Sequence, residues 1–355
     1  MGEQEQIRMG FIGAGAMGLI HMQVFSELEG VQMSAVADTS EQRAEAAKSE
    51  YGLEKAYVDS EQLISDPDVD AVVISVPNRY HASIAISALN NGKHVLLEKP
   101  MAMNAEEATS ILEAERLSGK KLMIGHQMRW SYPFNQVKEH IEQGQFGRIY
   151  YVKAGWFRRK GIPGWGTTYT SKEHMGGGCA VDIGVHMLDL SLFLVGDRKP
   201  ISVVGATYGE IGTQRMGIGN WGTPNFSGSF DVEDLAIAMI RLDDGTVINL
   251  EVSWAAFTDA EENKPYMHIM GDQGGVSIRD KYGKWMIEKF NSSIDFSPEP
   301  TETEFDRTAL SNHFLSCIRE DKQPSVSGRS GYMNNVILDA LYESARTGTE
   351  VKLNL

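Results

Sequence analysis

Gly13, Gly15 and Gly18 follow a short apolar run with the G-x-G-x-x-G spacing that brings a backbone against a pyrophosphate. Gly13 permits the tight turn, Gly15 leaves room for the phosphate, and Gly18 lets the next helix approach the strand. Ala16 and Met17 carry amides at that helix N-terminus, where an anion is favoured. Asp38 ends the following apolar run, 20 residues after Gly18, where a carboxylate bonds adenosine ribose hydroxyls. Its charge repels a 2′-phosphate, so the pattern predicts NAD ahead of NADP, while Arg43 keeps dual specificity open. Further on, Pro77, Asn78 and His81 follow one apolar run and Glu98, Lys99 and Pro100 end the next. Much later, GGGCAVDIGVHMLDL sets Asp182 and His186 four residues apart, with Asp189 three beyond. On a helix, residues at i and i+4 share a face, so the carboxylate and imidazole can open into one cleft.

Such residues need a scaffold, and residues 8–125 have the pattern of one. The runs RMGFI, MSAVAD, AVVISV, KHVLLE and KLMIG alternate with helix-period stretches that each end in glycine. This is the α/β signature of a doubly wound parallel Rossmann sheet with helices on both faces. It places Pro77–His81 and Glu98–Pro100 at strand carboxyl ends, the edge where such sheets bind ligands. From about residue 126 the strand-like runs lengthen and alternate, and LDDGTV and GDQGGV are hairpin signals. That half predicts an α+β domain with a large, open, mostly antiparallel sheet. The expected division is 1–125 for dinucleotide binding and 126–355 for substrate binding and oligomerisation, with helices at about 307–346 returning to pack on the first domain or bridge both.

The chain has 355 residues, the length of about two domains. With Lys+Arg 33 against Asp+Glu 48, its net charge is −15. That surface repels phosphate backbones and anionic headgroups, so neither nucleic acid nor membrane is an expected partner. No uninterrupted apolar run approaches a membrane span, and the N-terminus lacks a basic-then-apolar leader pattern. Cys179 and Cys317, the two cysteines, lie far apart, which suits a reducing compartment and predicts a cytoplasmic protein. Asp182, His186 and Cys179 fall short of a catalytic zinc set, so no metal is expected.

The elements containing Pro77-Asn78 and His81, Glu98-Lys99-Pro100, and Asp182 with His186 occur in an order and spacing that resemble the glucose-fructose oxidoreductase/inositol dehydrogenase/rhizopine catabolism (Gfo/Idh/MocA) family over nearly the whole chain. The resemblance implies a Rossmann domain followed by an α/β domain whose open sheet face commonly makes oligomers, here a homodimer or homotetramer. It also implies that Lys99, Asp182 and His186 face a nicotinamide. The family's G-[FY]-x-x-R segment reads Gly125-His126-Gln127-Met128-Arg129, keeping the arginine but replacing the aromatic residue. The expected cofactor contacts are therefore the glycine turn from Gly13 to Gly18, Asp38, Pro77, Asn78, His81, Glu98, Lys99 and Gln127, with Arg129 at the substrate.

Oxidising a secondary alcohol requires removal of the hydroxyl proton as hydride leaves carbon, and histidine titrates in the right range to accept it. His186 is the expected general base, with Lys99 stabilising negative charge on the oxygen and Asp182 holding a neighbouring hydroxyl. Asp189 either holds the histidine or has a structural role. Upstream, WFRRKGIPGWGTTYTSKEHM supplies Trp156, Arg158, Arg159, Trp165, Tyr169 and His174. Aromatic faces stack on sugar rings and arginines bond hydroxyls, carboxylates or phosphates, so Trp156, Arg158 and Trp165 are expected substrate contacts, while packing or subunit contact is the alternative. A glycine-rich segment with Trp221 is a second candidate lid or oligomer arm. The expected reaction is NAD-dependent oxidation of a ring hydroxyl of a carbohydrate or polyol. A redox-neutral NAD-dependent glycosidase and a dinucleotide-sensing regulator are alternatives on the same fold.

Overall fold

The computed structural model describes residues 6–259, 264–298 and 307–355. They divide into two compact units. One holds the described residues up to Gln127 together with 307–335; the other holds 128–298 and 336–355.

The first unit is built on six parallel strands, β1 (Ile7–Ile12), β2 (Val31–Ala37), β3 (Lys55–Tyr57), β4 (Ala71–Ile74), β5 (His94–Leu97) and β6 (Leu122–Ile124). Their order is β3-β2-β1-β4-β5-β6. Parallel neighbours need crossovers, supplied by α1 (Ala16–Ser26), α2 (Glu41–Tyr51), α3 (Ser60–Ile64), α4 (His81–Asn90) and α5 (Ala105–Ser118). Strands covered on both faces read as unbroken apolar runs, and every residue of β4 is buried. The short β3, sequence KAY and only partly buried, is missing from the sequence reading because it has no apolar run to detect. The order reverses between β1 and β4, so the loops after these strands diverge and leave a crevice at their carboxyl ends.

The second unit carries a nine-stranded sheet of β7 (Ile149–Phe157), β8 (Pro200–Tyr208), β9 (Leu235–Leu242), β10 (Val247–Ser253), β11 (Pro265–Gly271), β12 (Gly274–Arg279), β13 (Tyr282–Lys289), β14 (Ser292–Phe296) and β15 (Val351–Lys352). The order is β14-β13-β12-β11-β7-β10-β9-β8-β15, antiparallel except where β7 meets β10. The expected hairpins join β9 to β10 and β11 to β12. In β9, Ala236, Ala238, Ile240 and Leu242 are buried while Ile237 and Arg241 are exposed, the alternation of a sheet covered on one face. β13 and β14 escaped the sequence reading because charged and polar residues interrupt their alternation.

The covered face packs on α6 (Phe134–Glu142) and above all α8 (Val185–Val195), in which even His186, Asp189 and Ser191 are buried; α7 (Lys172–Met175) lies between β7 and α8 in the chain. The stretch Lys172–Val195 is long and apolar enough on average to span a bilayer, yet it is 83% buried inside the protein, as a core helix is. Two helices close the chain, α9 (Arg307–Arg319) and α10 (Gly328–Thr347). α9 buries Leu310, Phe314 and Leu315 in the first unit, and the Ile124 amide donates to Val326 O at 3.0 Å.

Candidate active site

At the end of β1 the chain turns through Gly13, whose φ of +101° suits glycine alone and whose missing Cβ would stand 2.5 Å from the Ser75 carbonyl oxygen. A Cβ on Gly18 would stand 1.9 Å from the Gly13 carbonyl oxygen, so α1 can approach the turn only without a side chain there. A Cβ on Gly15, by contrast, would meet nothing within 4 Å. Gly15 and Ala16 are exposed, Met17 is half-exposed, and Gly15 at the N-cap has no side chain to cap the amides that open α1. This is an open cradle of backbone donors at a helix N-terminus, and it fits a pyrophosphate. Asp38 lies beside it, accepting from the Ala14 amide at 2.9 Å and the Ser40 amide at 2.8 Å. The Arg43 guanidinium donates to Oδ1, the oxygen that also takes the Ser40 amide, at 2.7 and 3.1 Å. Burial pushes the Asp38 carboxyl up, but Arg43 and the two amides outweigh it and hold it below the usual carboxylate range.

Pro77 and Asn78 open the turn after β4, with Asn78 buried. Gln127 is buried just after β6, and its side-chain oxygen has no hydrogen-bond partner among the described residues. An orphaned acceptor near a strand carboxyl end fits a ligand amide or hydroxyl. Two expected cofactor contacts are occupied otherwise. The His81 ring sits 2.8 Å from Pro100 O through Nδ1 and 2.9 Å from Val76 O through Nε2, so it straps the turn after β4 to the Lys99-Pro100 segment. Burial pushes its pKa down although both carbonyls favour the charged ring. Glu98 turns inward beneath the sheet edge: Oε1 meets buried His21 Nε2 at 2.8 Å and Arg307 Nη1 at 3.4 Å, and Oε2 accepts from the Lys99 amide at 3.2 Å. Burial raises the Glu98 pKa, but His21, Arg307 and Lys99 together drive it well below the normal range. It is an ionised strut under Lys99, which itself is only partly buried.

In the second unit the glycine run has a packing reason. A Cβ on Gly177 would stand 1.9 Å from Tyr342 Oη and one on Gly178 would stand 2.0 Å from Glu233 O. The buried Glu233 carboxylate accepts from the Gly178 and Ala180 amides at 2.9 and 3.0 Å and from Tyr342 Oη at 3.0 Å. Burial raises its pKa in spite of these donors. Glu233 thereby anchors the start of a π-turn, Ala180–Gly184, which runs into α8. Asp182 and His186 were expected on one regular helix; instead Asp182 lies in the π-turn and His186 is the second residue of α8. Such turns occur often at functional sites because they re-aim a side chain. Trp254, fully buried after β10, donates its indole N–H to Asp182 Oδ2 at 2.9 Å. Its own amide donates to Asp234 O at 2.8 Å.

Two further expectations differ from what the structure shows. Arg129 and Asp189 form a buried bidentate pair at 2.7 and 2.5 Å, with the guanidinium 4.9 Å from the Phe193 ring. The arginine therefore braces α8 where a substrate contact was expected, and Asp189 holds Arg129, the structural one of its two expected roles. Trp165 is 3% exposed, donates to Gly212 O at 2.8 Å and stacks on Phe226, a packing role. Trp156 and Arg158 remain partly open, the guanidinium 4.4 Å above the indole. Burial pushes the Arg158 pKa down while the charge of Asp182 opposes it. Tyr169 packs edge-on against Trp221, and His174 Nδ1 pairs with Ser171 Oγ at 3.0 Å. His126 is buried against Asn334 at 3.2 Å. His21, Trp254, Glu233 and Arg307 are the residues that sequence reasoning missed; their partners are 53 to 209 positions away, beyond any local pattern.

Comparison with known proteins bears on this arrangement. Residues 7–126 match the Gfo/Idh/MocA oxidoreductase family's NAD-binding Rossmann fold, and residues 138–353 match its C-terminal alpha/beta domain. The chain is 30% identical to D-glucoside 3-dehydrogenase of Escherichia coli (strain K12) over 356 residues, covering 98% of this chain and 97% of that protein. It is 27% identical to scyllo-inositol 2-dehydrogenase (NAD(+)) of Bacillus subtilis (strain 168) over 363 residues, covering 99% and 98%. A solved structure of levoglucosan dehydrogenase in complex with NADH shares the fold, with a TM-score of 0.87 at 23% identity over 98% of this chain and 99% of that one.

Proposed function

The chain belongs to the Gfo/Idh/MocA family of NAD-binding sugar and polyol oxidoreductases, and we propose that it oxidises a ring secondary hydroxyl of a sugar, glycoside or inositol. The observation that carries this reading is the oriented Asp182, tied to Trp254 at 2.9 Å, with His186 on the same turn-to-helix segment. NAD, when bound, supplies the hydride acceptor. The cradle Gly13–Gly18 would hold its pyrophosphate, Asp38 its adenosine ribose, and Pro77, Asn78 and Gln127 the remainder.

His186 takes the hydroxyl proton, because an imidazole exchanges protons near neutral pH. Asp182, fixed by Trp254, accepts a hydrogen bond from a neighbouring hydroxyl and orients the ring. Lys99, supported from below by Glu98, stabilises the negative charge that develops on the substrate oxygen. Trp156 offers an aromatic face to the ring. The relatives' names support the substrate class, since they include a glucoside and an inositol dehydrogenase. Both cysteines are free and buried, in keeping with work in the cytoplasm. Exposed Ile201, Val204, Tyr208 and Ile237 on the outer face of β8 and β9 suit a homodimer or homotetramer.

The test is nicotinamide reduction by the purified protein with NAD or NADP across inositols, hexoses, hexuronates, sugar phosphates and glycosides. Stoichiometric NADH with one ring class is expected. Aglycone release without NADH accumulation makes the protein a redox-neutral glycosidase, and NAD binding without turnover of any substrate makes it a regulator.

A further inference from the structure

Resting on the reading of the site as a sugar oxidoreductase, we propose that the substrate is an anionic sugar derivative whose charged group is held in a pocket formed by Arg159, Lys160 and Arg215. These three cations line one cavity of about 410 Å³ in the second unit, together with Met216, Ala256 and Phe257, and no acidic residue among the described ones lines it. Among the described residues none of the three forms an ion pair, whereas Arg8, Lys55, Arg116, Lys153 and Lys284 all do. On a chain of net charge −15, a concave cluster of unneutralised cations is a local reversal of sign. Such a cleft concentrates anions, and the guanidinium fork matches carboxylate and phosphate oxygens.

The pocket lies a short length of chain from groups at Asp182. Arg158, whose charge is coupled to that of Asp182, immediately precedes Arg159 and Lys160. Trp254, the hydrogen-bond donor to Asp182, is two residues before Ala256 and three before Phe257. At roughly 3.3–3.6 Å per extended residue, both walls lie within about 12 Å of chain from groups at that carboxylate. A ring presented to Asp182 and Trp156 thus delivers its acidic group to the cations.

The loops that carry the cations are also tied together, and the Arg215 guanidinium is held. Arg215 has φ of +58° and its guanidinium lies 5.3 Å from the Trp165 ring, itself fixed by its bond to Gly212 O. The amides of Gly161 and Ile162 both donate to Gly217 O, at 3.0 and 3.1 Å, which ties the loop bearing Arg159 and Lys160 to the one bearing Arg215. A site whose charges are already in place loses less freedom when it binds. Phe257, 84% exposed, adds an apolar wall for the body of the ligand.

The experiment compares kcat/KM of the full chain with NAD for hexuronates, hexose phosphates and neutral glycosides of matched ring stereochemistry. The variant is R159Q/R215Q, which alters exposed side chains. We expect the wild type to prefer one anionic class, hexuronate or phosphate, by at least tenfold. The variant should lower the anionic-to-neutral ratio of kcat/KM by about 100-fold, mainly through KM, and added salt should move the wild-type ratio the same way. A wild-type preference for neutral sugars, or an equal loss for both classes, overturns the proposal. If no sugar turns over although NAD binds, the oxidoreductase reading fails. Calorimetric titration of the same anions into NAD-loaded protein then decides the pocket separately: binding that R159Q/R215Q abolishes supports it, and no binding to the wild type overturns it.

Discussion

The indole N–H of Trp254 donates to Asp182 Oδ2 at 2.9 Å, joining the end of β10 to the π-turn that precedes α8. A carboxylate at a widened turn has rotamer freedom, and this bond selects one orientation. Trp254 is fully buried and its amide is bonded to Asp234 O, whose side chain in turn accepts the Ile211 and Gly212 amides at 2.7 Å. The orientation of Asp182 is thus inherited from the sheet.

Trp254→Phe keeps most of the packing volume and removes the donor. A hydrogen bond to a charged group contributes about 1.5–3 kcal/mol, so kcat/KM should fall about 10- to 100-fold. NAD affinity, which depends on the other unit's cradle, should stay within about twofold by the same reasoning. Parallel steady-state kinetics and NAD titration check this, and an unchanged kcat/KM would free Asp182 from dependence on Trp254.

His186→Ala should lower kcat by about 10²- to 10⁴-fold, the usual contribution of a positioned acid-base group. His186 is buried at the head of α8, so the same substitution tests a structural alternative. Loss of NAD binding or a large fall in Tm would make the histidine a packing residue. Retained fold and cofactor binding with lost turnover are expected.

Asp38→Ala should raise the NADP-to-NAD ratio of kcat/KM by about 10-fold or more, since a carboxylate at that position repels a 2′-phosphate. The substitution also releases Arg43, now held by two bonds to Asp38 Oδ1. A freed guanidinium can pair with phosphate, so Asp38→Ala combined with Arg43→Ala should lose most of the gained NADP activity. An unaltered cofactor ratio in Asp38→Ala would remove Asp38 from the ribose site.

Much of this arrangement is legible in the sequence because it is local. The glycine turn, Asp38, and the strand ends carrying Asn78 and Lys99 follow from spacing and strand pattern alone. The pairings of Glu98 and Arg129 were not legible because their partners, His21 and Asp189, are 77 and 60 positions away and leave no periodic trace. Trp165 illustrates another limit: an aromatic residue in a glycine-rich loop reads alike whether it stacks on a sugar or, as here, buries its indole against Gly212 and Phe226. The π-turn at Asp182 is invisible to a helical period because the glutamate anchoring its start, Glu233, comes from the neighbourhood of β9.

Asp189→Ala would leave the Arg129 guanidinium buried without its bidentate partner. Breaking one side of a buried ion pair costs about 3–5 kcal/mol, whereas replacing both with apolar residues of similar volume is often neutral. We therefore expect a large fall in Tm for Asp189→Ala and recovery of most of it in Arg129→Met/Asp189→Leu. Calorimetry of the three variants checks the claim that Arg129 braces α8. Retained turnover in the double variant would further show that no arginine is needed there for substrate.

Glu115 gives a pH dependence of unusual sign. Burial is the dominant influence, its Oε2 lying where a Cβ on Gly328 at the head of α10 would come within 2.7 Å, and it outweighs the Leu122 amide and Lys121 to raise the pKa to about 7. An acid with a raised folded-state pKa binds its proton more tightly folded than unfolded, so its contribution to stability falls as pH rises from about 4.5 to about 7. Solvent contact at the half-exposed carboxylate screens part of this effect, leaving a loss on the order of 1 kcal/mol. Glu115→Gln mimics the protonated form at every pH. Its Tm should match the wild type near pH 4.5 and exceed it at pH 8, with the gap opening across that window. A gap independent of pH, or one favouring the wild type at pH 8, would show that Glu115 is solvated as an ordinary surface carboxylate.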